Sequence, residues 1–389
     1  MRNAKLIISF NFLWMFIPVI SILVPFMTSL GISMTDFFLL QSFFGVVVVV
    51  MEVPSGYVAD LFGRKKALVI GALMSGLSFI ALYFATKLWH LYIHEFFIAV
   101  SISLISGADY ALLFDSIKDK IKETDRSVQA KWTSRFMAAS FIGEAFAALI
   151  GGALSFFSMS YVLLATLIVG WFPLVVSFFL EEVKVQKMDK KAHKENFRVV
   201  LKHLFMDSSF LRLLVVNFVI WSLSTMCVVW LIQKYWEENN LPLMWFGVLW
   251  AGYSVVGAVS NYFSHGLENR LGTKVLLIIC ALFVAVSYLV IPHVGFVVGT
   301  LVISLFYVAR GVFQPLFKEG FNHRLKEEFR ATANSIYSLV FRLAFVVIGP
   351  LLGLYVDNFE LLGLFTLLGT VFLGFAVFVL LPFLNMEEV

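Results

Sequence analysis

Apolar residues gather along this chain into runs of about twenty, separated by short polar breaks, instead of recurring every three or four positions as on a water-facing helix. A helix of about 20 residues spans a hydrocarbon core of about 30 Å, so each run predicts one membrane crossing. The first six lie near Leu6–Leu30, Thr35–Val58, Lys66–Thr86, Leu91–Lys118, Lys131–Phe157 and Ser160–Leu180. After a polar stretch, six more lie near Leu211–Gln233, Leu243–Ser264, Lys274–Ile291, Val294–Phe317, Ala331–Val356 and Leu361–Leu384. The pattern predicts an all-α membrane protein with twelve transmembrane helices: an N-terminal six-helix bundle over 1–180, a cytoplasmic linker with an amphipathic helix over 181–208, and a C-terminal six-helix bundle over 209–389.

Composition agrees with lipid as the solvent. Hydrophobic residues make up 60% of the 389 and charged residues 14%, against about 25% charged in an average soluble domain. The basic start from Met1 to Lys5 leads into an apolar run with no small-residue cleavage site, so it reads as a retained first span. Cys227 and Cys280 each sit inside an apolar run and read as small hydrophobes rather than a disulfide framework. The net charge is only +4, and basic residues stand at span ends rather than on a soluble face, which excludes a nucleic-acid partner.

Charge placement sets the expected orientation. Lys87 and Lys234 fall in the loops of one side and Arg310 and Arg342 within spans, while the other basic residues fall on the opposite side. By the positive-inside rule that side is cytoplasmic, and both termini lie there. The linker carries Lys184, Lys187, Lys190, Lys191, Lys194, Arg198 and Lys202, and spaces Phe197, Val200, Leu201, Leu204 and Phe205 as on a helix lying along the inner membrane surface. The halves also match: Gly107 to Arg126 aligns without a gap on Gly311 to Arg330, with Gly107/Gly311, Leu112/Leu316, Lys122/Lys326, Glu123/Glu327 and Arg126/Arg330 identical and Asp115/Glu319 similar. A parallel repeat of six spans related by a pseudo-two-fold is a transporter signature.

At the end of the second span, Gly56, Asp60, Gly63, Arg64, Lys65 and Lys66 form a Gly, an Asp four residues later, and then Gly-Arg-Lys. This resembles the loop between helices two and three of the major facilitator superfamily. In the second half Asn269-Arg270-Leu271-Gly272-Thr273-Lys274 keeps the Gly and Lys but has Asn for Asp. The resemblance implies two bundles that rock about a central substrate site. Gly56 would permit close packing, Asp60 would accept from a helix N-terminus, and Arg64 would join Asp60 to Asp115, a charge cluster that gates the cytoplasmic side. In span five, Gly143-Glu144-Ala145-Phe146-Ala147-Ala148-Leu149-Ile150-Gly151-Gly152 is similar to an antiporter marker of that superfamily, with Ala147-Ala148 where Gly-Pro stands. The Gly-Pro core occurs instead at Gly349-Pro350-Leu351-Leu352-Gly353, and packing and bending account for both segments. Ser103 stands where the superfamily's span-four Arg is expected.

A charge at the bilayer centre costs about 2.5–3.5 kcal/mol on insertion scales, so each such group needs a cavity or a partner. Asp109 and Glu144 are the proton-carrier candidates, because a carboxyl between a dry environment and a movable cation can gain and lose its proton. Arg310 and Arg342 are candidates for holding an anion or neutralising those acids; a permanent ion pair between halves, Asp109 with Arg310, is the plainer alternative. In the superfamily architecture, spans one, four, seven and ten line the central cavity. Gln41, Ser103, Ser106, Asn217, Trp221, Tyr253, Tyr307 and Gln314 are the polar residues placed to line a pocket for an amphipathic molecule. His94-Glu95 lacks the second His of a metalloprotease helix and reads as a satisfied pair.

Together these readings predict a secondary transporter, proton-coupled and exporting an amphipathic small molecule, with import or facilitation of a small organic anion as the alternative. An intramembrane enzyme is disfavoured, because no Gly-x-Ser-x-Gly and no His-Glu-x2-His occur; a channel fits the repeat less well. No Gly-x4-Gly-Lys-Ser/Thr occurs, so a proton gradient rather than a bound cofactor is the expected energy source. The expected partners are a small-molecule substrate and the bilayer of a bacterial inner membrane, with the protein a monomer.

Overall fold

The computed structural model describes residues 2–118, 126–183, 203–325 and 327–386, and these form helices with no strand among them. Twelve helical segments are long and apolar enough to cross a membrane: Arg2–Ser29, Met34–Glu52, Arg64–Tyr83, Leu88–Ile117, Lys131–Ser155, Met159–Phe178, Ser209–Glu238, Leu243–Leu271, Thr273–His293, Phe296–Phe321, Ser335–Asn358 and Leu361–Leu384. They are called spans one to twelve below. Helices suit lipid because every backbone N–H and C=O finds its partner within the same segment. The predicted amphipathic helix of the linker falls almost wholly outside the described residues; only the turn His203–Asp207 is described there.

The chain divides into two compact units, Met1–Lys187 with Asn240–Gly252, and Met188–Asn239 with Tyr253–Val389. In the first, a core at one end joins Ile7 and Phe10 of span one, Leu68 and Ala72 of span three, Leu112 and Leu113 of span four, and Trp132 and Phe136 of span five. Asn11 ties span one to span five, donating to the Phe136 carbonyl at 3.0 Å and to Ser140.

Spans one and four, among others, are interrupted in ways that hydropathy does not register. Span one runs as a helix over Arg2–Trp14, loosens, and resumes as a 3-10 turn at Pro18–Ile22 before Leu23–Ser29. Pro18 has no N–H to continue the ladder. Span four stops at Ile105, and Gly107, at φ +90°, turns the chain into a second helix, Ala108–Lys118. Its repeat partner Gly311 serves differently. It stays inside the span-ten helix, where a Cβ would come within 2.6 Å of the Gly257 carbonyl of span eight.

The small residues of span five are packing surfaces. A Cβ on Gly143 would meet the Phe12 carbonyl at 2.5 Å, one on Gly151 would collide with the Pro18 carbonyl, and one on Gly152 would meet the Met244 carbonyl at 2.5 Å. Gly247 presses on the Ala148 carbonyl in return. Overpacking such a contact costs about 1–3 kcal/mol. Gly247→Val is therefore expected to lower the melting temperature of the purified protein, whereas Gly252→Val, where nothing lies within 4 Å of the added carbon, should not.

The second unit has an aromatic interior. Trp221 stacks on Phe313 with centroids 5.3 Å apart, Tyr288 stacks on Phe372 at 5.7 Å, and the Tyr288 hydroxyl donates to the Ser224 carbonyl at 2.7 Å. Cys227 and Cys280 are both buried as free thiols.

Candidate functional site

The loop between spans two and three is built around one backbone torsion. Gly63 ends the helix Met34–Phe62 at φ +98° and ψ 155° and begins the helix of span three. Gly272 does the same between spans eight and nine at φ +78° and ψ 151°. A side chain at that φ is strained, which is why glycine stands there in both repeats.

Arg64 follows directly. Its guanidinium pairs with Asp115 and donates through the same nitrogen to the Ala111 carbonyl at 2.8 Å, so it grips the inner helix of span four. Asp115 stands on the helix Ala108–Lys118, which begins after the Ser106-Gly107 break. The side chain of Asp60 lies outside the described residues; its position is near the end of the helix that Gly63 terminates.

The acid that caps span three is one the motif does not contain. Glu182 accepts from the Arg64 N–H at 3.1 Å and from the Lys65 N–H at 2.8 Å, one carboxylate oxygen each. Lys65 in turn donates from Nζ to the Phe178 carbonyl at 2.9 Å. An anion at a helix N-terminus satisfies unpaired N–H groups and faces the positive end of the helix dipole. Glu182 also fills the space beside Gly63, its Cδ 2.8 Å from where a Cβ would sit. Loss of such a cap costs about 0.5–2 kcal/mol. Glu182→Ala should therefore speed amide hydrogen exchange at Arg64 and Lys65, read by mass spectrometry, while Asp36→Ala should leave it unchanged. In the second unit Glu268 accepts from Thr273 Oγ1 at 2.7 Å at the matching place, with Thr273 where the first unit has Arg64. The potential ligand atoms of His265, Glu268 and Glu319 gather there within 4.8 Å of one another in a mostly exposed cluster.

Asp109, Glu144 and Glu95 are further acids within spans of the first unit. Asp109 is buried in the first turn after the Gly107 break and accepts from the Tyr110 N–H at 2.6 Å. Glu144 is half-buried and accepts from Trp250 Nε1 at 3.0 Å. Glu95, which sequence reading treats as satisfied with His94, takes Gln41 as partner instead: Gln41 Nε2 donates to it at 2.9 Å. His94 Nδ1 lies 3.0 Å from the Ser78 carbonyl. Gln41 thus belongs to a buried acid-amide pair, and no spacing within the chain points to it, since the partners are 54 positions apart.

The second unit's candidates separate into interior and surface. Asn217 and Trp221 are enclosed: Asn217 donates to its own helix at the Leu213 carbonyl, 2.9 Å, and accepts from Trp221 Nε1 at 3.3 Å. Tyr307 stacks on Tyr253 at 4.9 Å, and Trp236 stacks on the other side of that ladder at 5.9 Å. Tyr253 is fixed by its hydroxyl on the Thr300 carbonyl at 2.7 Å. Arg310 and Arg342 are half-buried, and Gln314 is exposed beside Pro315.

Comparison with known proteins gives a consistent family. The family model for the Major Facilitator Superfamily matches residues 6–322. An uncharacterized transporter of Buchnera aphidicola subsp. Acyrthosiphon pisum (strain APS) is 22% identical over 305 residues, covering 76% of this chain and 74% of that protein. Among solved structures, the nucleoside transporter NupG superposes with a TM-score of 0.79 at 12% identity over 100% of both chains. A bacterial homologue of the human lysosomal transporter Spinster, inward-facing and unoccupied, gives 0.73 at 14% identity over 98% of this chain and 95% of that one. A D-xylose–proton symporter gives 0.71 at 14% identity over 97% and 96%. At these identities the likeness is one of fold.

Proposed function

Since the chain belongs to the Major Facilitator Superfamily and is an integral, multi-pass membrane transporter, we propose that it exports an amphipathic small molecule by alternating access, driven by protons. The observation that carries the reading is Glu144: a carboxylate within a membrane-crossing helix, accepting from the indole N–H of Trp250 at 3.0 Å. An acid so placed is costly in lipid unless it has work to do. Asp109, at the break in span four, is the second proton carrier.

In this reading the protein is a monomer of a bacterial inner membrane with both termini cytoplasmic, following its basic loops. The Arg64–Asp115 pair then lies on the cytoplasmic side as a gate latch. Uptake or facilitated passage of a small organic anion is the second reading, favoured by Arg310 within span ten.

Proteoliposomes with an imposed pH gradient separate the two. Substrate movement driven against a proton flux of opposite direction is the expected result. Movement indifferent to the gradient would remove proton coupling and leave facilitation.

A further inference from the structure

Between spans one and five of the first unit runs an open groove of about 750 Å3, within the range of small-molecule sites. It is not a gap between loosely set helices. Asn11 bonds span one to span five beneath it, and Gly143 admits the Phe12 backbone to close contact. One end carries two cations, Lys5 and Arg135, with Trp132 beside Arg135, and the rest of the lining is mainly apolar, with Phe12, Leu13 and Ile142. The guanidinium of Arg135 lies 5.1 Å from the centroid of the Trp132 ring, a cation–π contact that holds it at the groove. No acidic residue is among the described residues that line it.

Two positive charges at one end of an apolar trough complement a molecule with one anionic head and an apolar body. We propose that this groove binds a small amphipathic organic anion, a carboxylate or sulfonate, with the head held by Lys5 and Arg135 and the body against Phe12, Leu13 and Ile142. This rests on the export reading above and names its substrate class.

Decanoate serves as the probe. Binding of radiolabelled decanoate to the full chain in phosphatidylcholine nanodiscs, corrected for empty discs, is expected to saturate. Decanesulfonate should compete and decyltrimethylammonium should not. Lys5→Gln with Arg135→Gln should weaken binding by at least about tenfold, as loss of charge-assisted contacts does. Arg135→Lys should retain most of it, which separates charge from folding, and Lys234→Gln should change nothing. Non-saturable uptake, affinity unchanged in the double variant, or displacement of decanoate when phosphatidylglycerol is added to the discs would overturn the proposal, the last by marking a lipid site. Proton-driven export is read separately in proteoliposomes. Saturable, charge-dependent binding without export keeps the groove and removes the export reading, whereas export with binding untouched by both substitutions removes the groove alone.

Discussion

Arg64→Asp is expected to lower transport by at least about tenfold, and combining it with Asp115→Arg to recover part of the loss. Arg64 pairs with Asp115 and also donates to the Ala111 carbonyl at 2.8 Å, so the substitution removes charge-assisted contacts and sets two acids side by side. Hydrogen bonds to charged groups contribute about 1.5–3 kcal/mol, and about 1.4 kcal/mol corresponds to a tenfold change. Arg64→Lys should fall between, because an ammonium lacks the fork that reaches a carboxylate and a carbonyl together. Initial rates in proteoliposomes, compared at equal protein and equal melting temperature, are the measurement. Full-rate transport by a folded Arg64→Asp variant would remove the pair from the transport cycle.

Glu144→Gln is expected to abolish substrate movement driven by a pH gradient while leaving downhill exchange of substrate intact. An amide keeps the shape and can still meet Trp250, but it cannot carry a proton. Asp109→Asn should uncouple in the same way if the two acids share the task. Trp250→Phe keeps an aromatic side chain, though a smaller one, and deletes the donor, so it should move the pH dependence of transport more than the maximal rate. Substrate-induced proton release, recorded with a pH dye in detergent solution, gives a readout independent of transport. Release unchanged in both acid variants would reassign the proton site, and Glu95 with its Gln41 partner would be the next candidate.

The twelve spans could be read in the sequence because the thickness of a bilayer imposes a run length that composition alone reveals. Gly63 was legible as part of a motif and Gly272 as that motif's remnant, but the positive-φ turn that each makes was not. What runs of hydrophobicity cannot report is backbone geometry inside a run. The breaks at Pro18 and Gly107 are apolar neighbourhoods to a hydropathy window, and Gly107 and Gly311 look alike although one turns the chain and the other lets two helices touch. Partners from distant spans are equally hidden, as with Gln41 and Glu95. Glu182 was obscured by its surroundings, an acid in a basic stretch that reads as an ordinary inner loop. Asn217 and Trp221 show another side of the same limit. Polar groups in a span suggest a cavity, yet these two satisfy each other and their own helix inside an aromatic interior.

The two glycine turns also differ in when they become complete. Glu268 precedes Thr273 by five residues, so the hydrogen bond at that corner of the second unit can form as soon as both have left the ribosome. The first corner waits for Glu182, synthesised 118 residues after Arg64. At about 5–20 residues per second, the start of span three stays uncapped for about 6–24 s. Asn3 waits longer still, for the backbone of Glu181, 178 residues on. Residues just beyond span six therefore fasten the beginning of the first unit, and a nascent chain halted before residue 181 would hold Arg64 on Asp115 but leave the first turn of span three uncapped.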